Sequence, residues 1–303
     1  MIKAATFESM ADLRGVPTQE LVNFHCRQAK GGVALTLVAY ASVASDGRSF
    51  PTQISLNSTS STVHNDTVKM LKRLTAAVHA QNGALAGIQI THAGAFADPS
   101  FNDSLPAVGP SRIFNPLTMR WSHVMTAEEM LRIEGDFVRA VEVARSCGFD
   151  AVELHCGHGY LLSQFLSRAT NPGARSARDR LEFPLRVVRG VVSAAHNRLP
   201  YVAVLIKFNC SEKHERDLPF QDVRLYARAF YDAGVDLLVP SGGHVMTNGL
   251  HMLRGGRPIA SMAAAQQNLM KRAVRASRTS PSQLPLSSCL IRACRFCHYW
   301  AAL

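Results

Sequence analysis

Six short, nearly uninterrupted apolar runs punctuate the chain, at residues 2–6, 34–40, 84–90, 150–155, 201–208 and 236–240. A strand with one wet face alternates apolar and polar side chains. A run without alternation belongs to a strand covered on both faces, the usual condition of a parallel sheet. Between the runs lie helical patterns, expected at 18–30, 62–81, 126–147, 181–196 and 220–233. The third is the clearest. Thr126 and Glu129 have the spacing of a capping box, and Ile133, Phe137, Val141 and Ala144 recur along one face. Gly148 supplies its stop, as Gly83 and Gly234 do for the second and fifth helices.

Six βα units in succession permit a doubly wound sheet or a (β/α)8 barrel. The polar residues favour the barrel. Gln89 and His92, His155 and His158, Lys207 and Asn209, and Ser241 to His244 all fall at the carboxyl ends of their runs, which in a barrel converge on one mouth. No G-x-G-x-x-G follows the first run, as a dinucleotide fold would require. The expected class is therefore α/β, a TIM barrel incomplete at its C-terminal βα units.

The totals narrow the function classes. With 47% apolar and 18% charged residues, the 303-residue chain has the balance of a soluble globular protein. It contains no run of eighteen apolar residues, so no membrane partner is expected, and its first residues lack a secretory h-region. Seven cysteines without a regular framework fit reduced thiols and a cytoplasmic location. The net charge of +11 suggests nucleic acid until it is mapped: eight of the excess positive charges lie beyond Asp236, the last acidic residue. The basicity belongs to a tail too sparse in arginine for an RNA-binding segment, and no nucleic-acid partner is expected.

The stretch VELHCGHGYLLSQFLS, residues 152–167, concentrates the chemistry. His155, His158 and Tyr160 stand where an apolar run ends, with glycines interleaved. Paired imidazoles can donate to one oxygen and hold charge as it develops, and a phenol can deliver a proton. One histidine alone would more often satisfy a core carbonyl; two with a tyrosine at a strand end reverse those odds. A zinc site on His92, His155 and His158 ranks well below, because no carboxylate or thiolate follows in a usual spacing, and no metal is assigned. Cys156 reads as a small filler. Cys289, Cys294, Cys297 and His298 are too irregularly spaced to read as a metal cluster.

The segment GFDAVELHCGHGYLLSQFLS resembles the central motif of the old yellow enzyme family, the FMN-dependent NAD(P)H:flavin oxidoreductases. GIQITHAGA, KAATFESMAD, GGVALTLVAYASVASDGRSF, VLIKFNCSE and AGVDLLVPSGG resemble further segments of that family, in its order. The resemblance implies a (β/α)8 barrel with FMN across its mouth. It places Gln89 on the flavin pyrimidine edge and Lys207 near N1 and the 2-carbonyl. It puts Thr6 and Tyr40 along the flavin, Tyr40 through its main chain. It matches His155 and His158 to the pair that binds the carbonyl oxygen of an α,β-unsaturated substrate, and Tyr160 to the proton donor. The implied reaction is ping-pong: NAD(P)H reduces FMN and leaves, and the hydride then passes to the β-carbon. A small-molecule substrate is the expected partner, and a homo-oligomer is compatible with the pattern.

The chain also departs from the family pattern. Ala95 stands where the family carries arginine, and NPGARSARDR (171–180) lacks the family's D-x-Y-G-G core. Barrels of this family hold the FMN phosphate with loops after strands seven and eight, yet the sequence RTSPSQLPLSSCLIRACRFCHYWAAL has no glycine and no acid. Hence the expected division is an FMN-binding barrel over residues 1–262 and a divergent basic tail over 263–303. Hence also the alternative function: a catalytically defective barrel fragment with weak or no FMN binding.

Overall fold

Six parallel strands pair in strict chain order: β1 (Ile2–Lys3), β2 (Leu35–Ser42), β3 (Leu85–Thr91), β4 (Ala151–Cys156), β5 (Ala203–Ser211) and β6 (Leu237–Gly242). The computed structural model describes residues 1–56, 61–102, 104–212 and 218–245. The chain divides into two units, Met1–Gly256 and Arg257–Leu303, and the described residues all belong to the first. A doubly wound sheet would reverse its strand order partway; this one never does, which is the sequence of neighbours in a (β/α)8 barrel wall. The positions where the family's last two βα units would fall, and the cysteine-rich tail, lie outside the described residues.

Helices α1 (Gln19–Lys30), α2 (Ser61–His79), α3 (Ala127–Ser146), α4 (Leu161–Leu166), α5 (Ala177–His196) and α6 (Phe220–Asp232) follow the strands. Strand side chains sort by parity. Ile88 and Ile90, Val152 and Leu154, and Val204 and Ile206 face outward into one core with helix residues such as Leu74, Phe137 and Val188. Leu37, Ala151 and Leu205 face inward and meet inside the barrel. Gly87 has no side chain because Leu37 fills its place: a Cβ there would lie 2.4 Å from Leu37 Cδ2. The parity breaks once. The β2–β3 register shifts between Val38 and Ala41, and within that interval both Ala39 and Tyr40 join the cluster around Tyr160 at the mouth.

Local signals account for the helix ends. The Thr126–Glu129 capping box is formed, and Gly148 turns the chain with φ +83°. Helix α5 begins four residues before its expected start, because Ser176 and Asp179 make a second capping box inside the arm that lacks the family's motif. The first strand is shorter than expected: only Ile2 and Lys3 pair with β2, so Thr6 lies on a loop.

At the amino ends of the strands one device is used twice. In Gly148-Phe149-Asp150, the Asp150 carboxylate accepts from the Ala86 amide (2.8 Å) and from His79 Nε2 (2.8 Å). In Gly234-Val235-Asp236, Asp236 accepts from the Val204 amide (2.7 Å) and pairs with His196 Nε2 (3.0 Å). Tyr201 adds its hydroxyl to the second pin at 2.7 Å. Burial pushes the Asp236 carboxyl up, but the Val204 amide, the Tyr201 hydroxyl and His196 outweigh it and leave the carboxyl below its ordinary range. Each pin ties the start of a strand to the strand before it and to the end of the helix that leads into that earlier strand. Among the described residues no helix is long and apolar enough to cross a membrane.

Candidate active site

The carboxyl ends of β3, β4 and β5 carry a polar layer directly above the apolar filling of the barrel. Gln89, Glu153 and Lys207 take the inward positions, each two residues past a small or apolar one (Gly87, Ala151, Leu205). Gln89 Nε2 donates to Glu153 Oε1 at 2.6 Å, and Lys207 Nζ lies 3.2 Å from the same oxygen. Lys207 Nζ also donates to the Ala5 carbonyl at 3.1 Å, joining β5 to the loop after β1. All three side chains are buried, and Glu153 is 0% exposed. A lysine ending an apolar strand calls for a buried anion, and Glu153 is that anion.

Above this layer sits an aromatic group. His155 and His158 lie with ring centroids 4.9 Å apart and nearly perpendicular, and His155 and Tyr160 are likewise 4.9 Å apart. Tyr40 closes the group, 5.3 Å from the Tyr160 ring and 5.9 Å from that of His155. Tyr40 and Tyr160 share a hydroxyl–hydroxyl hydrogen bond of 2.7 Å. On its other side the Tyr40 hydroxyl meets Ser49 Oγ at 3.1 Å, and Ser49 in turn contacts Gln53 Oε1. Burial drives both phenols above their ordinary value, Tyr40 the further.

The histidines differ in burial. Burial, with the charges of His158 and Lys207, pushes His155 well below the ordinary imidazole value, so it is neutral. Its Nδ1 accepts from the Gly157 amide at 3.3 Å, which leaves the proton on Nε2 as a donor. His158 is half-buried and adopts φ +60°. Its amide donates to Asn209 Oδ1 at 3.1 Å, and its Nε2 meets Ser241 Oγ at 2.8 Å. Gly159, at φ +87°, lets the buried His244 ring close against the backbone: a Cβ there would stand 2.4 Å from His244 Nε2.

Six of the seven residues singled out in the sequence fall into these two adjoining groups. Gln89 and Lys207 meet through Glu153; Tyr40, His155, His158 and Tyr160 meet directly. Thr6 is exposed on the loop after β1, its hydroxyl donating to Ala4 O at 3.3 Å, between Ala5, whose carbonyl takes Lys207, and Phe7, whose ring lies 4.8 Å from that of Tyr40. His92 also points elsewhere. It accepts from the Gly94 amide through Nδ1 (3.0 Å), and its Nε2 lies 3.2 Å from Asp46 Oδ1, which pairs with Arg132. Both ring nitrogens are thus engaged away from His155 and His158. Cys156 faces the helix-side core, and burial pushes its thiol far up. Ala95, at the family's arginine position, is buried and donates its amide to Gln164 Oε1 at 3.1 Å. Glu153 is the site residue that the reading of the sequence passed over. Its signal was a lone acid inside an otherwise apolar strand.

Comparison with known proteins places this geometry. The family model described as NADH:flavin oxidoreductase / NADH oxidase family matches residues 1–272. The chain is 36% identical over 282 residues to a 4,4'-dithiodibutanoate disulfide reductase of Rhodococcus erythropolis, covering 89% of this chain and 65% of that protein. It is 28% identical over 240 residues to an NADH oxidase of Thermoanaerobacter brockii, covering 78% of this chain and 35% of that one. The chain thus spans about a third to two thirds of the length of these relatives. Among solved structures, a 2-naphthoyl-CoA reductase complex matches with TM-score 0.72 at 22% identity, over 80% of this chain and 38% of the other. The old yellow enzyme homologue of Zymomonas mobilis matches with TM-score 0.69 at 18% identity, over 81% and 70%. The strand order, the filled barrel interior and the match over residues 1–272 converge: the chain belongs to the NADH:flavin oxidoreductase / NADH oxidase family.

Proposed function

We propose that this protein is an FMN-dependent oxidoreductase that takes hydride from NAD(P)H and reduces the C=C bond of an α,β-unsaturated carbonyl compound. The observation that carries this reading is the neutral His155 beside His158 and Tyr160, stacked over a buried Gln89–Glu153–Lys207 layer. Residues 1–262 form the FMN-binding unit in this reading, and the protein works in the cytoplasm.

The donor set fits a flavin. A planar ring with imide and carbonyl groups along one edge needs an amide and a fixed cation, and Gln89 and Lys207 supply them on the two sides of Glu153. Bound FMN supplies a two-electron carrier that accepts hydride from a nicotinamide and gives it to an electrophilic carbon. The chain's residues do the rest. His155, neutral and protonated on Nε2, donates to the substrate carbonyl oxygen together with His158, drawing charge from the β-carbon. Tyr160, uncharged because burial holds its phenol high, gives a proton to the α-carbon. Tyr40 and Ser49 hold the Tyr160 hydroxyl in place. Residues that would take the FMN phosphate lie outside the described residues.

A second reading rests on the Rhodococcus relative, a disulfide reductase at 36% identity. A disulfide accepts the same hydride without needing a carbonyl activator, so the two readings part at the histidine pair. Purified protein should be yellow and should bleach anaerobically on addition of NADH or NADPH. Reoxidation by 2-cyclohexenone supports the first reading. Reoxidation by a dialkyl disulfide with no response to the enone would replace it with the second, and a colourless protein that takes up no added FMN would remove both.

A further inference from the structure

Glu153 is the most completely buried acid of the mouth, and the roles assigned above do not use it. One carboxylate oxygen, Oε1, holds both Gln89 (2.6 Å) and Lys207 (3.2 Å), while Oε2 is buried and has no hydrogen-bond partner among the described residues. The register explains the convergence. Glu153 lies opposite Gln89 across the β3–β4 pair and opposite Leu205 across the β4–β5 pair, and Lys207 follows Leu205 by two residues on the same face. Glu153 therefore stands centrally in the layer, with the amide on one side and the ammonium on the other. Burying a carboxylate costs several kcal/mol unless it is compensated, and here the compensating groups are the two side chains that would face the flavin.

Building on the flavin reading, we infer that Glu153 is a positioning residue with two separable effects. It holds Gln89 and Lys207 in the orientation that receives the pyrimidine end of FMN. It also offsets the Lys207 charge, so the mouth favours the reduced, anionic flavin less than a lone ammonium would. Glutamine at 153 keeps the volume and an acceptor oxygen but loses the charge. Alanine loses both.

The test uses the full-length protein loaded with FMN and two readouts, FMN dissociation constants by fluorescence and the flavin midpoint potential at mildly acid pH. Glu153→Gln should bind oxidised FMN within a few-fold of the wild type. Its preference for reduced over oxidised FMN should rise about tenfold, an upward shift of ~30 mV for a two-electron couple. That shift should vanish in a Lys207→Met background, since a buried carboxylate deprived of its cation takes up a proton and no longer carries the charge that glutamine removes. Glu153→Ala should weaken FMN binding at least about tenfold, with Glu153→Gln restoring it. An unshifted potential in Glu153→Gln, or a shift that persists without Lys207, would overturn the charge effect. Unchanged FMN affinity in Glu153→Ala would overturn the positioning effect. Wild-type protein that binds no FMN would instead defeat the reading on which both rest.

Discussion

The hydroxyls of Tyr40 and Tyr160 meet at 2.7 Å although 120 residues separate them in the chain. Their meeting depends on the register shift in β2, which brings Tyr40 into the cluster around Tyr160. Gln53 Oε1 can only accept, so Ser49 donates to it, Tyr40 donates to Ser49, and Tyr160 donates to Tyr40. The phenol proton of Tyr160 is thus held at a defined atom before any substrate arrives.

Removing either hydroxyl should destabilise the fold by about 1 kcal/mol, and the double variant should lose less than the sum. Urea melts of Tyr40→Phe, Tyr160→Phe and the pair test this. Strictly additive losses would mean that the bond contributes nothing in solution.

Tyr160→Phe should also leave reduction by NAD(P)H at the wild-type rate and slow only the half-reaction with the enone. His155→Ala with His158→Ala should retain FMN and lose enone reduction by at least about a hundredfold, the usual scale for losing charge-stabilising donors. Stopped-flow traces of the two half-reactions separate these effects. Equal slowing of both halves in Tyr160→Phe would contradict its role as proton donor.

Much of this site was legible in the sequence, and the reasons are local. A histidine pair and a tyrosine within six positions, and a lysine closing an apolar strand, advertise themselves without any knowledge of contacts. The same holds for the Thr126 cap and for Gly148, whose effects span a few residues. Two things were not legible. Glu153 read as part of a strand because its partners lie on neighbouring strands, and only register reveals which residues share a level. Tyr40 was placed along the flavin through its main chain, and its side chain's place beside Tyr160 was not foreseen: regular strand parity would not send both it and Ala39 to the mouth, and the irregular pairing of β2 does.

Gly159 offers a sharper probe of the mouth. Alanine there would combine a positive φ with a Cβ only 2.4 Å from His244 Nε2, so either the ring or the His158–Tyr160 backbone must move. The expected cost is about 1–3 kcal/mol, with enone turnover falling more than FMN affinity. Thermal melts beside steady-state kinetics would show it. Wild-type turnover in Gly159→Ala would mean that the His244 ring yields freely.

Asp46 gives the fold an acid limit. Burial raises its carboxyl, but the bond to His92 and the pair with Arg132 outweigh that and hold it well below the ordinary aspartate range. A depressed carboxyl contributes stability that is complete above the unfolded value and is lost as pH falls toward the folded one. Denaturation midpoints should therefore decline below about pH 4, and Asp46→Asn should flatten that decline while costing about 2 kcal/mol at neutral pH. An unchanged acid limb in the variant would place the sensitive group elsewhere.

The twin aspartate pins at Asp150 and Asp236 sit at the far rim of the barrel from the histidines. Anchorage and reactivity are thereby lodged at opposite poles of the same strands. Asp150 immediately precedes β4 and His155 is its penultimate residue, so one short span carries a fastening at its foot and a working group at its head. Loops at the head can diverge, as Ala95 and the arm after residue 170 already have, without loosening the foot that keeps those strands in step.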